Sequence, residues 1–99
     1  MEKGYLIENY EVTDKENYIP PVKVINEILE KHNGKFLVAT PKAQTLHGKP
    51  LEVIVVIEFS SNQNALDFFN SKDYAEYREL YERTTQGWVL CALEYKATR

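Results

Sequence analysis

Four short stretches rich in β-branched and aromatic residues punctuate the chain: 4–12 (GYLIENYEV), 35–40 (KFLVAT), 51–59 (LEVIVVIEF) and 87–95 (GWVLCALEY). Each has the length and composition of a strand. Between the first two, Val22, Ile25, Ile28, Leu29 and His32 recur at helical spacing. Pro20 and Pro21 suit the first turn of that helix and exclude its interior. The expectation is a short turn over 14–19, opened by Thr13 and Glu16 at capping-box spacing, then a helix over 21–32. Gly34 is expected to close it in a left-handed conformation. After the third strand, Ser60 and Gln63 repeat the capping-box spacing, and Ser71 recaps a helix running to about Thr85. The last few residues are expected to fray.

The resulting order, β-α-β-β-α-β, with right-handed crossovers puts both helical regions on one face of a four-stranded antiparallel sheet ordered 4-1-3-2. This is an α+β, ferredoxin-like architecture, and 99 residues make it a single domain over 1–99. Such a sheet should be apolar on one face only. Here Val53, Val55, Ile57 and Phe59 oppose Ile54, Val56 and Glu58, while Val89, Cys91 and Leu93 oppose Trp88, Leu90 and Ala92. Both faces need cover, so the second face is expected to meet another copy in a twofold homodimer. The odd-numbered sets, including Tyr5, Ile7 and Asn9, are assigned to the helix side. Glu8, Glu58 and Glu94 then fall around the dimer face, at the solvent rim rather than in paired acid–base chemistry.

A formal charge of −3, with dispersed basic residues, excludes the electrostatic footprint of a nucleic-acid or anionic-membrane binder. No run approaches a membrane span or a signal peptide, and the single Cys91 excludes an internal disulfide, so a cytoplasmic protein is expected. Cys91, in an apolar strand, reads as a buried inert thiol. His32 and His47 lack ligand spacing, so no metal is expected, and no glycine-rich phosphate cradle or other cofactor signature is present. The third strand lacks the basic and aromatic residues of an RNA-recognition module. Asn9, a polar residue on an apolar set, either satisfies local backbone or lines a cavity. In the aromatic run 68–81 (FFNSKDYAEYRELY), Tyr74, Tyr77, Leu80, Tyr81 and Thr84 fall within about 120° of one helix, the width of a core-facing stripe rather than of a stacking platform. Each buried hydroxyl must find a partner.

The segments KGYLIENYEVTDKENY, NGKFLVAT, VVIEFSSNQNALDFFNSKDYAEY and WVLCALEY together resemble the domain-of-unknown-function family 1330 over residues 3–95. The resemblance implies a subunit of the dimeric α/β-barrel superfamily, with a pocket between sheet and helices. That superfamily includes cofactor-free monooxygenases. The chain departs from the family pattern where an arginine commonly follows the second strand, at Lys72 in place of proline, and at Tyr81 in place of a basic residue, while Arg83 matches. The expected function is thus an uncharacterised homodimer with a small-molecule pocket. An oxygenase-like version would use Asn9 to orient a substrate oxygen and Tyr74, Tyr77 or Arg83 to stabilise a developing anion. The alternative is a non-catalytic binding or assembly module whose core is filled by its own side chains.

Overall fold

The computed structural model describes residues 2–97. The fraying expected of the chain end therefore falls partly on residues 98–99, outside the described residues. Strands β1 (Gly4–Val12), β2 (Gly34–Thr40), β3 (Val53–Phe59) and β4 (Thr85–Leu93) form one antiparallel sheet. Its order is β2-β3-β1-β4, the ferredoxin-like arrangement expected. A 3-10 turn (Pro21–Lys23) and helices α1 (Asn26–Lys31), α2 (Asn62–Phe69) and α3 (Lys72–Thr84) complete the chain.

The helical elements differ from expectation in their starts and stops. The single helix expected over 21–32 is two pieces, because Val24 and Ile25 leave helical geometry and the Asn26 side chain donates to the Val22 carbonyl at 2.6 Å. Asp14, not Thr13, organises the preceding turn by accepting from the Asn17 amide at 3.3 Å. The cap of α2 is Ser61 rather than Ser60: its Oγ accepts from the Asn64 amide at 3.1 Å, leaving Gln63 to pair with Asp67. Ser71 caps α3 as expected, with Tyr74 N–H donating to its Oγ at 3.1 Å. The left-handed residue after α1 is Asn33 (φ 60°), not Gly34. Gly34 is needed for space instead, since a Cβ there would lie 2.5 Å from the Phe59 ring.

The register corrects the face assignment of β1. Leu6 pairs with Ile57, Glu8 with Val55 and Tyr10 with Val53, so the even residues of β1 face the helices. Asn9 pairs with Ile54 and Trp88 and lies on the outer face, contrary to the sequence assignment. Glu8, expected at the dimer rim, is in the helix-side layer and 8% exposed. Glu58 and Glu94 do sit near strand ends, where Glu58 pairs with Lys3 and Lys35 and Glu94 accepts from the Lys3 amide.

The core is the layer between sheet and helices, with Val55, Ile57, Phe59, Phe68, Ile25 and Leu29 fully buried. The aromatic run feeds it: Phe68 stacks on Tyr74 with ring centroids 4.4 Å apart and on Phe59 at 5.5 Å. The helices lie mainly over the sheet centre and cover β4 only in part. As a result Cys91 faces the helix side yet is exposed, not buried as expected, with its thiol 3.1 Å from Asn62 Oδ1. Partial burial raises its pKa, so the thiol stays protonated and inert despite its exposure.

Candidate functional site

Glu8 is the residue that the register places most unexpectedly. It belongs to a central strand, so its backbone bonds both neighbours, and its side chain projects under α3 opposite Val55 and Val89. A cavity of about 380 Å³ opens there between α3 and the β1–β4 half of the sheet. Glu8 and Tyr10 contribute from β1, and Tyr74, Arg78 and Tyr81 from one face of α3. Their spacing of four and three residues puts those three side chains on one helical stripe. Gly87 on β4 lets the two strands approach closely here, since any Cβ would run into Tyr10 Cα and Cβ and the Asn9 carbonyl.

The chemistry of this cavity is set by which groups already have partners. The Tyr10 hydroxyl pairs with that of Tyr18 at 2.8 Å, and Tyr81 donates to the Ile19 carbonyl at 2.6 Å. Among the described residues, neither the Glu8 carboxyl nor the Tyr74 hydroxyl has a hydrogen bond or ion pair. Neither is sealed off, because no fully buried side-chain polar atom lacks a partner among the described residues. Both groups therefore reach the open space of the cavity. Burial pushes the Glu8 carboxyl up to about 7, with no neighbouring cation to offset it. Burial, then the Glu8 charge, raises Tyr74 well above an ordinary phenol, so its hydroxyl remains a donor at any physiological pH. Tyr81 is raised by burial in the same way.

Arg78 lies one turn beyond Tyr74. It donates to the Phe69 carbonyl at 2.9 Å, closing the end of α2, and its guanidinium lies over the Phe69 ring, 5.6 Å from the centroid. A second cavity of about 330 Å³, walled by Val12, Pro21, Val22, Val53 and Val55, lies on the far side of Tyr18. The Tyr10–Tyr18 hydroxyl pair stands between the two cavities.

Of the candidates read from sequence, the structure brings only Tyr74 into the Glu8 cavity. Tyr77 packs against the edge of the core. Arg83 is exposed and lines neither cavity. Asn9 is saturated by backbone: its Nδ2 donates to the carbonyls of Val53 (2.8 Å) and Leu51 (3.1 Å), and its Oδ1 accepts from the Leu51 amide (3.0 Å). It clamps the end of the 41–52 loop to the sheet. Glu8 and Arg78 were missed. Arg78 was legible as the i+4 neighbour of Tyr74, whereas Glu8 depended on the pairing register of β1 with its neighbours. His32 stacks edge-on against Phe68 at 5.9 Å. Among the described residues, no three His, Cys, Asp or Glu side chains come together to hold a metal.

Comparison with known proteins bears on the fold and the family. A crystal structure of RPA0582, a protein of unknown function from Rhodopseudomonas palustris, superposes with a TM-score of 0.68 at 12% identity, covering 96% of this chain and 84% of that one. A structure of methylated RPA0582 gives the same TM-score at 11% identity, covering 99% and 84%. At such identity the likeness is one of fold. No curated protein matches the sequence. The model of the domain of unknown function DUF1330 matches residues 3–94, nearly the whole described chain, and the protein belongs to that family.

Proposed function

We propose that the protein binds a small, mostly apolar molecule in the cavity under α3 and exchanges a proton with it through Glu8. The observation that carries this reading is the Glu8 carboxyl itself: 8% exposed, without a protein partner, and facing a cavity of about 380 Å³. Leaving a buried carboxyl unsatisfied costs stability, and natural cores avoid it unless a ligand or a reaction uses the group. A carboxyl titrating near 7 populates both its acid and its base form at neutral pH, the condition for general acid–base work. The Tyr74 hydroxyl supplies a fixed donor beside it for an oxygen that gains negative charge. Proton abstraction from an activated C–H or O–H is also the opening step of a cofactor-free oxygenation, so an oxygenase-like activity is one elaboration of this site.

The test is exchange of the α-protons of 1-tetralone, a neutral aryl ketone, into D2O. The wild-type protein should accelerate the exchange along a curve that rises through a midpoint near pH 7 to a plateau, and Glu8→Gln should abolish that acceleration. Equal exchange with both proteins would overturn the reading and leave the self-filled module as the better account.

A twofold homodimer through the outer sheet face belongs to the same proposal. The outer face carries Ile7, Ile54, Val56, Trp88 (44% exposed) and Leu90 (55%), an apolar surface that a lone subunit leaves in water. A cytoplasmic location also belongs to it, supported by the single unpaired cysteine. Among the described residues no helix is long and apolar enough to cross a membrane.

A further inference from the structure

Arg78 has more hydrogen-bonding capacity than the fold consumes. A guanidinium carries five N–H donors in a planar fork, and the structure uses one nitrogen, Nη1, on the Phe69 carbonyl. Its cation–π contact with the Phe69 ring, 5.6 Å from the centroid, occupies none of the remaining donors. No carboxylate pairs with Arg78 among the described residues, although Glu8 and Glu82 line the same cavity. The half-buried cation is thus anchored at Phe69 and left with free donors in the lining of the cavity.

The polar groups of the cavity come from its two sides: Glu8 from β1, and Tyr74 and, one turn along the same stripe, Arg78 from α3. The cavity therefore offers one group able to bind an anion and another able to share a proton. Phe69, Tyr10 and Tyr81 complete its walls.

We propose that the ligand is a monocarboxylic acid with an aromatic or alicyclic body, its carboxylate held by Arg78 and its ketone or hydroxyl reaching Glu8 and Tyr74. This rests on the reading of the Glu8 cavity as the ligand site. A guanidinium fork matches a carboxylate in geometry and in charge. One cation set among Glu8 and Glu82 opposes a doubly charged phosphate more strongly than a single negative charge. A ketone beside Glu8 would accept a hydrogen bond from its protonated carboxyl, so affinity should fall as pH rises through about 7. The groups facing Glu8 in that titration are Tyr10 of its own strand, Tyr18 of the 13–20 segment and Tyr74 and Tyr81 of α3. All of these tyrosines stay neutral over that range. Arg78 and Glu82 line the same cavity.

Calorimetric titration with three matched probes tests the proposal: 4-oxo-4-phenylbutanoate, its primary amide, and 4-phenylbutanoate, which lacks the ketone. At pH 6 the keto acid should bind about tenfold to a hundredfold more tightly than the amide, the range of a charge-assisted hydrogen-bonded pair. Arg78→Gln should erase that preference, and Arg78→Lys should keep part of it. Only the keto compounds should weaken between pH 6 and pH 8. Melting curves of the two Arg78 variants establish that α2 and α3 remain folded, and Lys keeps the experiment decisive if Gln does not. Equal binding of acid and amide, or no loss in Arg78→Gln, overturns the carboxylate assignment. Weakening of the keto compounds that persists in Glu8→Gln overturns the placement of the ketone at Glu8. Absence of binding by all three probes overturns the assignment as well. The tetralone exchange reports separately on Glu8 as a proton-transfer group.

Discussion

Glu8 shows at the scale of a single residue what the fold tolerates for the sake of a site. Its carboxyl titrates near an ordinary value of 4.5 in the unfolded chain and near 7 in the folded one. The folded state therefore holds the proton more tightly, and stability falls as pH rises between those two values. The full difference corresponds to about 3 kcal/mol, absent below pH 4.5 and complete above pH 7. Glu8→Gln removes the titration while keeping shape and polarity. Urea melts should show the variant more stable than the wild type by about 3 kcal/mol at pH 8 and nearly equal to it at pH 4.5. The same difference at both values would contradict the burial of a titrating carboxyl. Asn9 makes the opposite case, a buried polar group with every bond made. Asn9→Ala should cost about 2–3 kcal/mol by freeing the Leu51 and Val53 backbone groups, with no change in the pH dependence of stability.

At the scale of elements, caps locate the helices and can be tested one hydroxyl at a time. Ser61→Ala and Ser71→Ala should each cost about 1 kcal/mol in denaturant melts, while Ser60→Ala should change stability by less than about 0.5 kcal/mol. The reverse order for Ser60 and Ser61 would place α2 one residue earlier. Most of the architecture was legible in the sequence because its signals are local. Strand β1 was bounded by its composition at the same residues, Ser71 announced α3, and the sheet order followed from chain order and handedness. The parity of β1 was not legible. Its even face carries Glu8 among apolar residues and its odd face carries Asn9 and Glu11, and odd or even numbering does not carry over from one strand to the next. Pairing with β3 and β4 made the choice, and a slip of one residue exchanges the two faces. That slip hid the site: Asn9 was placed in the helix layer where Glu8 stands. The exposure of Cys91 was hidden for a related reason, since where two short helices lie across a sheet is a matter of packing rather than of strand composition.

The whole molecule is a slab of 44 × 37 × 17 Å, one sheet under one layer of helices. Its radius of gyration of 13.8 Å exceeds the roughly 12.6 Å of a compact chain of this length. The excess follows from a flat shape with one apolar face uncovered. In the proposed dimer that face meets its own copy, and Leu90→Arg, which sets a charge on the outer face beside Ile7 of β1, should yield monomers in light scattering where the wild type gives dimers. A wild-type monomer at micromolar concentration would contradict the dimer while leaving the cavity under α3 unaffected, because Glu8 and Tyr74 belong to the opposite face. The most direct test of the account is therefore the titration of Glu8 itself. Carbon-13 NMR of the carboxyl, assigned by its loss in Glu8→Gln, should show a midpoint near pH 7 in the folded protein. A midpoint near the ordinary 4.5 would mean that the carboxyl is solvated or paired, and would contradict the buried acid–base site.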